Sequence, residues 1–176
     1  MVLLYHILKL FTRNEDESFI TFYRLYKNVT GRDLAQACST MDYDDAIEYV
    51  MNFVSQQTNL DIHEYLANTF ALDRVILNED RHFNNLGVIY DGTEFKIAPI
   101  FDNGKSFLIG NKRSIEKYSL QDKIKTAYSK AFSPSFELNY KYLKEYCTLT
   151  MTESILDAVK QYGVDNSIME ILSYTI

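Results

Sequence analysis

Asn78 to Asn85 reads Asn-Glu-Asp-Arg-His-Phe-Asn-Asn, and further along the chain stands Phe101-Asp102-Asn103-Gly104. These runs are rich in the side-chain oxygens that phosphoryl transfer requires. Its transition state spreads negative charge over the phosphoryl oxygens, so catalysis is mostly positioning plus electrostatic stabilisation by metal ions. One carboxylate must orient the attacking hydroxyl and accept its proton. Magnesium prefers hard oxygen ligands, and a carboxamide with a second carboxylate makes a suitable pair. Asp80 and Asn85 fit the base and the carboxamide, and Asp102 fits the second carboxylate. Gly104 would let the chain turn away after them.

Helices and a hairpin must bring these residues together. Met41 to Gln57 places Ala46, Ile47, Val50, Met51, Phe53 and Val54 at helical spacing, with Asp42 as its N-cap. A second helix is expected to begin near Asp61, where Asp61 and Glu64 have capping-box spacing. Its apolar positions Ile62, Tyr65, Leu66, Phe70, Val75 and Ile76 drift around more than one face, as in a helix buried on several sides. Leu86–Tyr90 and Phe95–Pro99 read as two short strands. Asp91-Gly92 between them signals a hairpin turn in which both central residues must tolerate positive φ. A lone hairpin is not stable in water, so it is expected to lie on the helices. Leu138–Thr148, Thr152–Tyr162 and Asn166–Tyr174 read as C-terminal helices, and Gly110–Ser119 as a mobile loop.

With 176 residues, 14 Tyr, 11 Phe, only 6 Gly and 2 Pro, the chain reads as one mainly helical domain spanning 1–176. The net charge of −6 and the lack of a long basic run argue against nucleic acid as a partner. Cys38 and Cys147 have no metal-ligand spacing and read as reduced thiols, which points to the cytoplasm. Met1 to Phe11 is apolar but lacks a basic n-region and a small-residue cleavage site. It is also far short of the roughly 20 apolar residues of a bilayer span. It reads as a core or interface helix.

Asp80 and Asn85 have the spacing of the catalytic Asp and metal-binding Asn of a kinase catalytic loop. The stretch from about Phe70 to Phe107, with Leu77-Asn78-Glu79-Asp80-Arg81-His82 at its centre, resembles the catalytic core of HipA-like Ser/Thr kinases. It carries Asp-Arg-His-x-x-Asn, a short hairpin and Phe-Asp-x-Gly in that order. The resemblance implies a protein-kinase-like C-lobe, mainly α with a small β-hairpin (α+β). It implies Asp80 as catalytic base, His82 and Asn85 facing the nucleotide, and Asp102 with Asn85 holding magnesium, so that ATP and magnesium are the expected cofactors. It further implies toxin–antitoxin or stress regulation, with a protein substrate or an antitoxin-like partner.

The chain also departs from that family. Residues ahead of Asp80 contain one glycine, Gly31, and no Gly-rich loop followed by a strand bearing Lys; they read as helices. The expectation is a C-lobe without its N-lobe, either half of a longer or split kinase or a truncated relic, and inactive alone. Two other readings stay open: a kinase-derived binding module acting through protein contacts, and a phosphoinositide-kinase-like relative, whose loop shares Asp-Arg-His-x-x-Asn. No basic amphipathic element supports a lipid surface.

Several side chains remain ambiguous at this level. Arg81 could face phosphate, but it reads better as paired with a nearby carboxylate that fixes the loop. Asp73 is either an exposed helical residue or a buried anchor for the catalytic-loop backbone. Lys105 reads as an exposed turn lysine, and His6 and His63 as structural or surface residues. Tyr5, Phe11, Phe19, Phe22, Tyr23 and Tyr26 fall at loosely helical spacing and read as core. Without an N-lobe, some of them would form an exposed apolar patch for a partner or a homodimer.

Overall fold

A computed structural model describes residues 17–109, 118–150 and 153–176. The expected helix at Met1 to Phe11 lies outside these residues, as does residue 110–117 of the expected loop. The described protein is mainly helical with a small three-stranded antiparallel sheet, an α+β arrangement. Among the described residues no helix is long and apolar enough to cross a membrane. The described residues form two compact units, one from 17–65 and 82–101, the other from 66–81 and 102–176.

The first unit opens with β1 (Ser18–Thr21), where the sequence suggested helix. The aromatic spacing that includes Phe19 was read at the wrong period, because four residues are too few for strand alternation to show. β1 pairs with β2 (Gly87–Tyr90), Phe19 opposite Ile89, and β2 pairs with β3 (Phe95–Ile97). The hairpin therefore does not rest on helices alone; a third strand completes its sheet. Its turn also differs from expectation. Tyr90 faces Phe95 across a four-residue loop, and only Gly92 has positive φ, at 95°. The Asp91 carboxylate shapes the loop instead, accepting from the backbone N–H groups of Thr93 and Glu94, each at 3.0 Å.

Thr21 caps α1 (Phe22–Thr30) by accepting from Arg24 N–H at 3.0 Å. The first amides of a helix have no partner within it. Here Phe22 N–H donates to Leu86 O at 2.9 Å and Tyr23 N–H to Phe83 O at 3.2 Å, which ties the 83–86 segment to the start of α1. Gly87 permits the close strand approach, since a Cβ there would lie 2.6 Å from Ile20 O and 2.8 Å from the Phe19 ring. α2 (Leu34–Cys38) and α3 (Tyr43–Thr58) complete the unit. Asp42 stands at the N-cap of α3 as expected, though its side chain makes no capping bond. Phe22 and Tyr26 are buried and Phe19 and Tyr23 partly so. Phe19, Phe22 and Tyr26 pack edge-on with Phe101, Tyr65, Tyr49 and Phe53, so these three do not form the expected exposed patch; Tyr5 and Phe11 lie outside the described residues.

α4 (His63–Ile76) begins in the first unit and carries its later turns in the second. Asp61 accepts from His63 N–H at 2.9 Å at its start. Leu66, Ala67, Phe70, Ala71 and Val75 are all buried, as the drifting apolar pattern implies. The second unit adds α5 (Leu120–Lys125), α6 (Phe136–Leu143) with a 3₁₀ turn at Lys144–Tyr146, α7 (Glu153–Gln161) and α8 (Asn166–Thr175). Leu77, Leu108, Ile124 and Ile171 form one buried cluster, and Val75, Ile76 and Leu172 another.

Candidate functional site

The candidate loop begins where α4 stops. Leu77 adopts φ 51°, the left-handed conformation that usually terminates helices at glycine. Asn78 N–H then reaches back to Asp73 O at 3.0 Å, the six-to-one bond of a Schellman turn. A non-glycine residue in this conformation costs on the order of 1–3 kcal/mol. Burial of the Leu77 side chain in the cluster with Leu108, Ile124 and Ile171 offsets that cost.

The Schellman turn places Asp73 beside the residues that follow. Its carboxylate accepts from Asn78 Nδ2 at 3.0 Å, from Arg81 Nε at 2.8 Å and from Arg81 Nη2 at 2.9 Å. Both members of the ion pair are buried, at 1% and 0% side-chain exposure. Burial pushes the Asp73 carboxyl up from its ordinary value, while Arg81 and Asn78, donating to it, oppose that push. The guanidinium cannot lose its proton, so the pair functions as an ion pair. The buried reading of Asp73 is the correct one, with a revision: the bonds to its carboxylate come from the side chains of Asn78 and Arg81. Arg81 is likewise the loop-fixing residue that its chemistry suggested.

Asp80 sits between these anchors. Its N–H donates to Asn78 Oδ1 at 3.3 Å, so Asn78 joins α4 to the residue assigned as base. The Asp80 carboxylate receives a hydrogen bond from Lys130 Nζ, and that contact holds the ammonium protonated to higher pH than usual. Glu79 is held on both sides: its N–H donates to Lys105 O at 3.4 Å, and its carboxylate accepts from Tyr128 N–H at 3.2 Å. Arg81 Nη2 also donates to Asn103 Oδ1 at 2.6 Å. The turn carrying Asp80 is thus bonded on either side, through Glu79 and Arg81, to the turn carrying Asp102. Asp102 itself is exposed, with φ 58°, and Phe107 and Leu108 follow at 56° and 60°. Backbone of this kind persists only where its surroundings hold it, here by Phe107 N–H to Ile76 O at 2.7 Å and by burial of Leu108.

His82 and Asn85 belong to the first unit and Asp80 and Asp102 to the second. The two residues assigned to magnesium, Asn85 and Asp102, therefore fall in different units. Asn85 is buried, and its N–H closes a turn onto His82 O at 2.7 Å. His82 is partly exposed, yet its Nδ1 is buried and makes no hydrogen bond. Lys105 is an exposed turn residue, as read.

Among the described residues no cluster of three or more His, Cys, Asp or Glu is placed to hold a metal ion. Magnesium is usually held by one or two carboxylates, with substrate phosphates and water completing its shell. A structural cage of protein ligands is not required. Sequence reasoning assigned no site role to Lys130, Asn103 or Asn78. The spacing of Asn78 five residues after Asp73 was the one local signal available. Lys130 and Asn103 carry none, since their partners lie 50 and 22 residues away. Comparisons of this chain with protein-family models, with curated proteins and with solved structures found no significant match.

Proposed function

We propose that this chain is the catalytic C-lobe of a HipA-like protein Ser/Thr kinase, carrying ATP- and magnesium-dependent phosphoryl transfer to a protein hydroxyl. The observation that carries the reading is the Arg81 staple. Its bonds to Asp73 and Asn103 fasten the Asp80 turn to the Asp102 turn within one unit. A buried guanidinium shared between a carboxylate and a carboxamide is a costly device. Its effect is to fix where two acidic side chains, neither of them buried, emerge. Strained backbone at Leu77, Asp102, Phe107 and Leu108 gathers around the same turns, as at sites where position matters more than stability.

In this reading Asp80 orients the acceptor hydroxyl and takes its proton. Asp102, in the same unit, supplies a carboxylate oxygen for magnesium. Magnesium-bound ATP would bring the phosphoryl group and the positive charge that shields it. The partner is a protein substrate or an antitoxin-like protein, and turnover requires a phosphate-covering lobe in addition to this one.

Manganese with ATP tests the proposal on the whole chain, because the paramagnetic ion broadens amide NMR signals near its site. Signals of residues 79–81 and 102–104 should broaden together, and Asp102→Asn should abolish the effect. Broadening confined elsewhere, or unchanged in Asp102→Asn, would reject the metal site and the kinase reading with it.

A further inference from the structure

Lys130 reaches Asp80 from the short loop between Ser129 and Pro134. Ser129 N–H donates to Pro134 O at 2.9 Å, closing the loop at its base. Asn139, on α6 and 1% exposed, spans the same two ends from beneath. Its Nδ2 donates to Ser129 Oγ at 2.9 Å and to Ser133 O at 3.0 Å, while its Oδ1 accepts from Ser133 N–H at 2.9 Å. One carboxamide therefore fixes both flanks of Lys130. Ahead of it, Tyr128 N–H is anchored on Glu79, the residue before Asp80. The Lys130–Asp80 pair stands at the surface, with side-chain exposures of 42% and 30%. Surface ion pairs contribute little to stability. A buried carboxamide spent on aiming one exposed lysine is better explained by what that lysine touches.

We infer that Lys130 is a phosphate-binding residue, its ammonium seated against Asp80 so as to meet the terminal phosphoryl group of a nucleoside triphosphate. The inference rests on the reading of Asp80 as base. A base must lie where the acceptor hydroxyl approaches the transferred phosphoryl group, so a cation in contact with the base lies beside that group as well. An ammonium has three N–H donors and can serve a carboxylate and a phosphoryl oxygen together. Because the contact is with the terminal phosphoryl group, the lysine should distinguish the triphosphate from the diphosphate.

The test titrates the whole chain with magnesium-ATP and magnesium-ADP up to millimolar concentration, following amide NMR shifts. Wild type should prefer ATP, and Lys130→Met should lose that preference by roughly tenfold, the worth of one charge-assisted hydrogen bond. Lys130→Arg should retain most of it, and neither variant should move the urea midpoint. A lysine that only braced the loop would leave the ATP-to-ADP ratio unmoved. An unchanged ratio in Lys130→Met, with manganese–ATP still broadening residues 102–104, would overturn this inference and spare the kinase reading. Wild type that showed no such broadening would overturn both.

Discussion

Replacing Asp73 by Ala should unfold this protein more readily than any change at the surface. The substitution leaves the Arg81 guanidinium, with 0% side-chain exposure, facing Asn103 but without its counter-charge. It also removes two charge-assisted bonds from Arg81 and one bond from Asn78. Breaking a buried pair in this way costs roughly 3–5 kcal/mol, out of a total domain stability of about 5–15 kcal/mol. With an m-value of about 2 kcal/mol/M, the urea midpoint should fall by about 1.5–2.5 M in far-UV circular dichroism. The double substitution Asp73→Leu with Arg81→Met exchanges the pair for apolar side chains of similar bulk and should recover most of that loss. Such a protein would be folded but would lack the bond from residue 81 to Asn103, so the manganese–ATP effect should weaken while stability returns. A loss below about 1 kcal/mol for Asp73→Ala would mean that water reaches the pair, and the staple argument would fail.

Three further outcomes are expected. Gly87→Ala should cost about 1–3 kcal/mol by urea denaturation, because its Cβ would meet Ile20 O at 2.6 Å; a neutral result would show that β1 and β2 separate easily. Lys96, with the Glu94 and Thr93 donors, holds the Asp91 carboxyl well below the usual carboxylate range. Its contribution to stability is therefore complete above the ordinary value of about 3.9 and is lost as pH falls through the depressed folded value. A carboxyl-carbon NMR titration should find Asp91 still ionised near pH 3, and an ordinary midpoint would refute the turn as described. Burial pushes the Cys38 thiol up to about 11, whereas Cys147 is only partly buried. At pH 8 a thiol reagent should label Cys147 promptly and Cys38 only on unfolding, so equal rates by mass spectrometry would count against that burial.

Much of the secondary structure was legible because its signals are local. The apolar spacing from Ala46 to Val54 and Asp42 ahead of it located α3, and the run from Asn166 gave α8 almost to its final residue. The hairpin was legible through Asp91-Gly92, although the carboxylate of Asp91 rather than two positive φ values makes the turn. β1 was not legible, since four residues flanked by aromatics carry too little periodicity to outweigh a helical reading. Its identity depends on pairing with β2, some 70 residues away.

By itself, the sequence determined which side chains carry carboxylate and carboxamide oxygens and the five-residue spacing of Asp80 and Asn85, because both are properties of contiguous chain. Tertiary structure alone decided that Asp73 is buried, that Arg81 links it to Asn103, and that Lys130 meets Asp80. The physical reason is that an ion pair depends on distance in space and on exclusion of water, and neither can be read from the order of residues. A lysine 50 positions from its carboxylate becomes its neighbour only when a buried carboxamide such as Asn139 has set the loop between them.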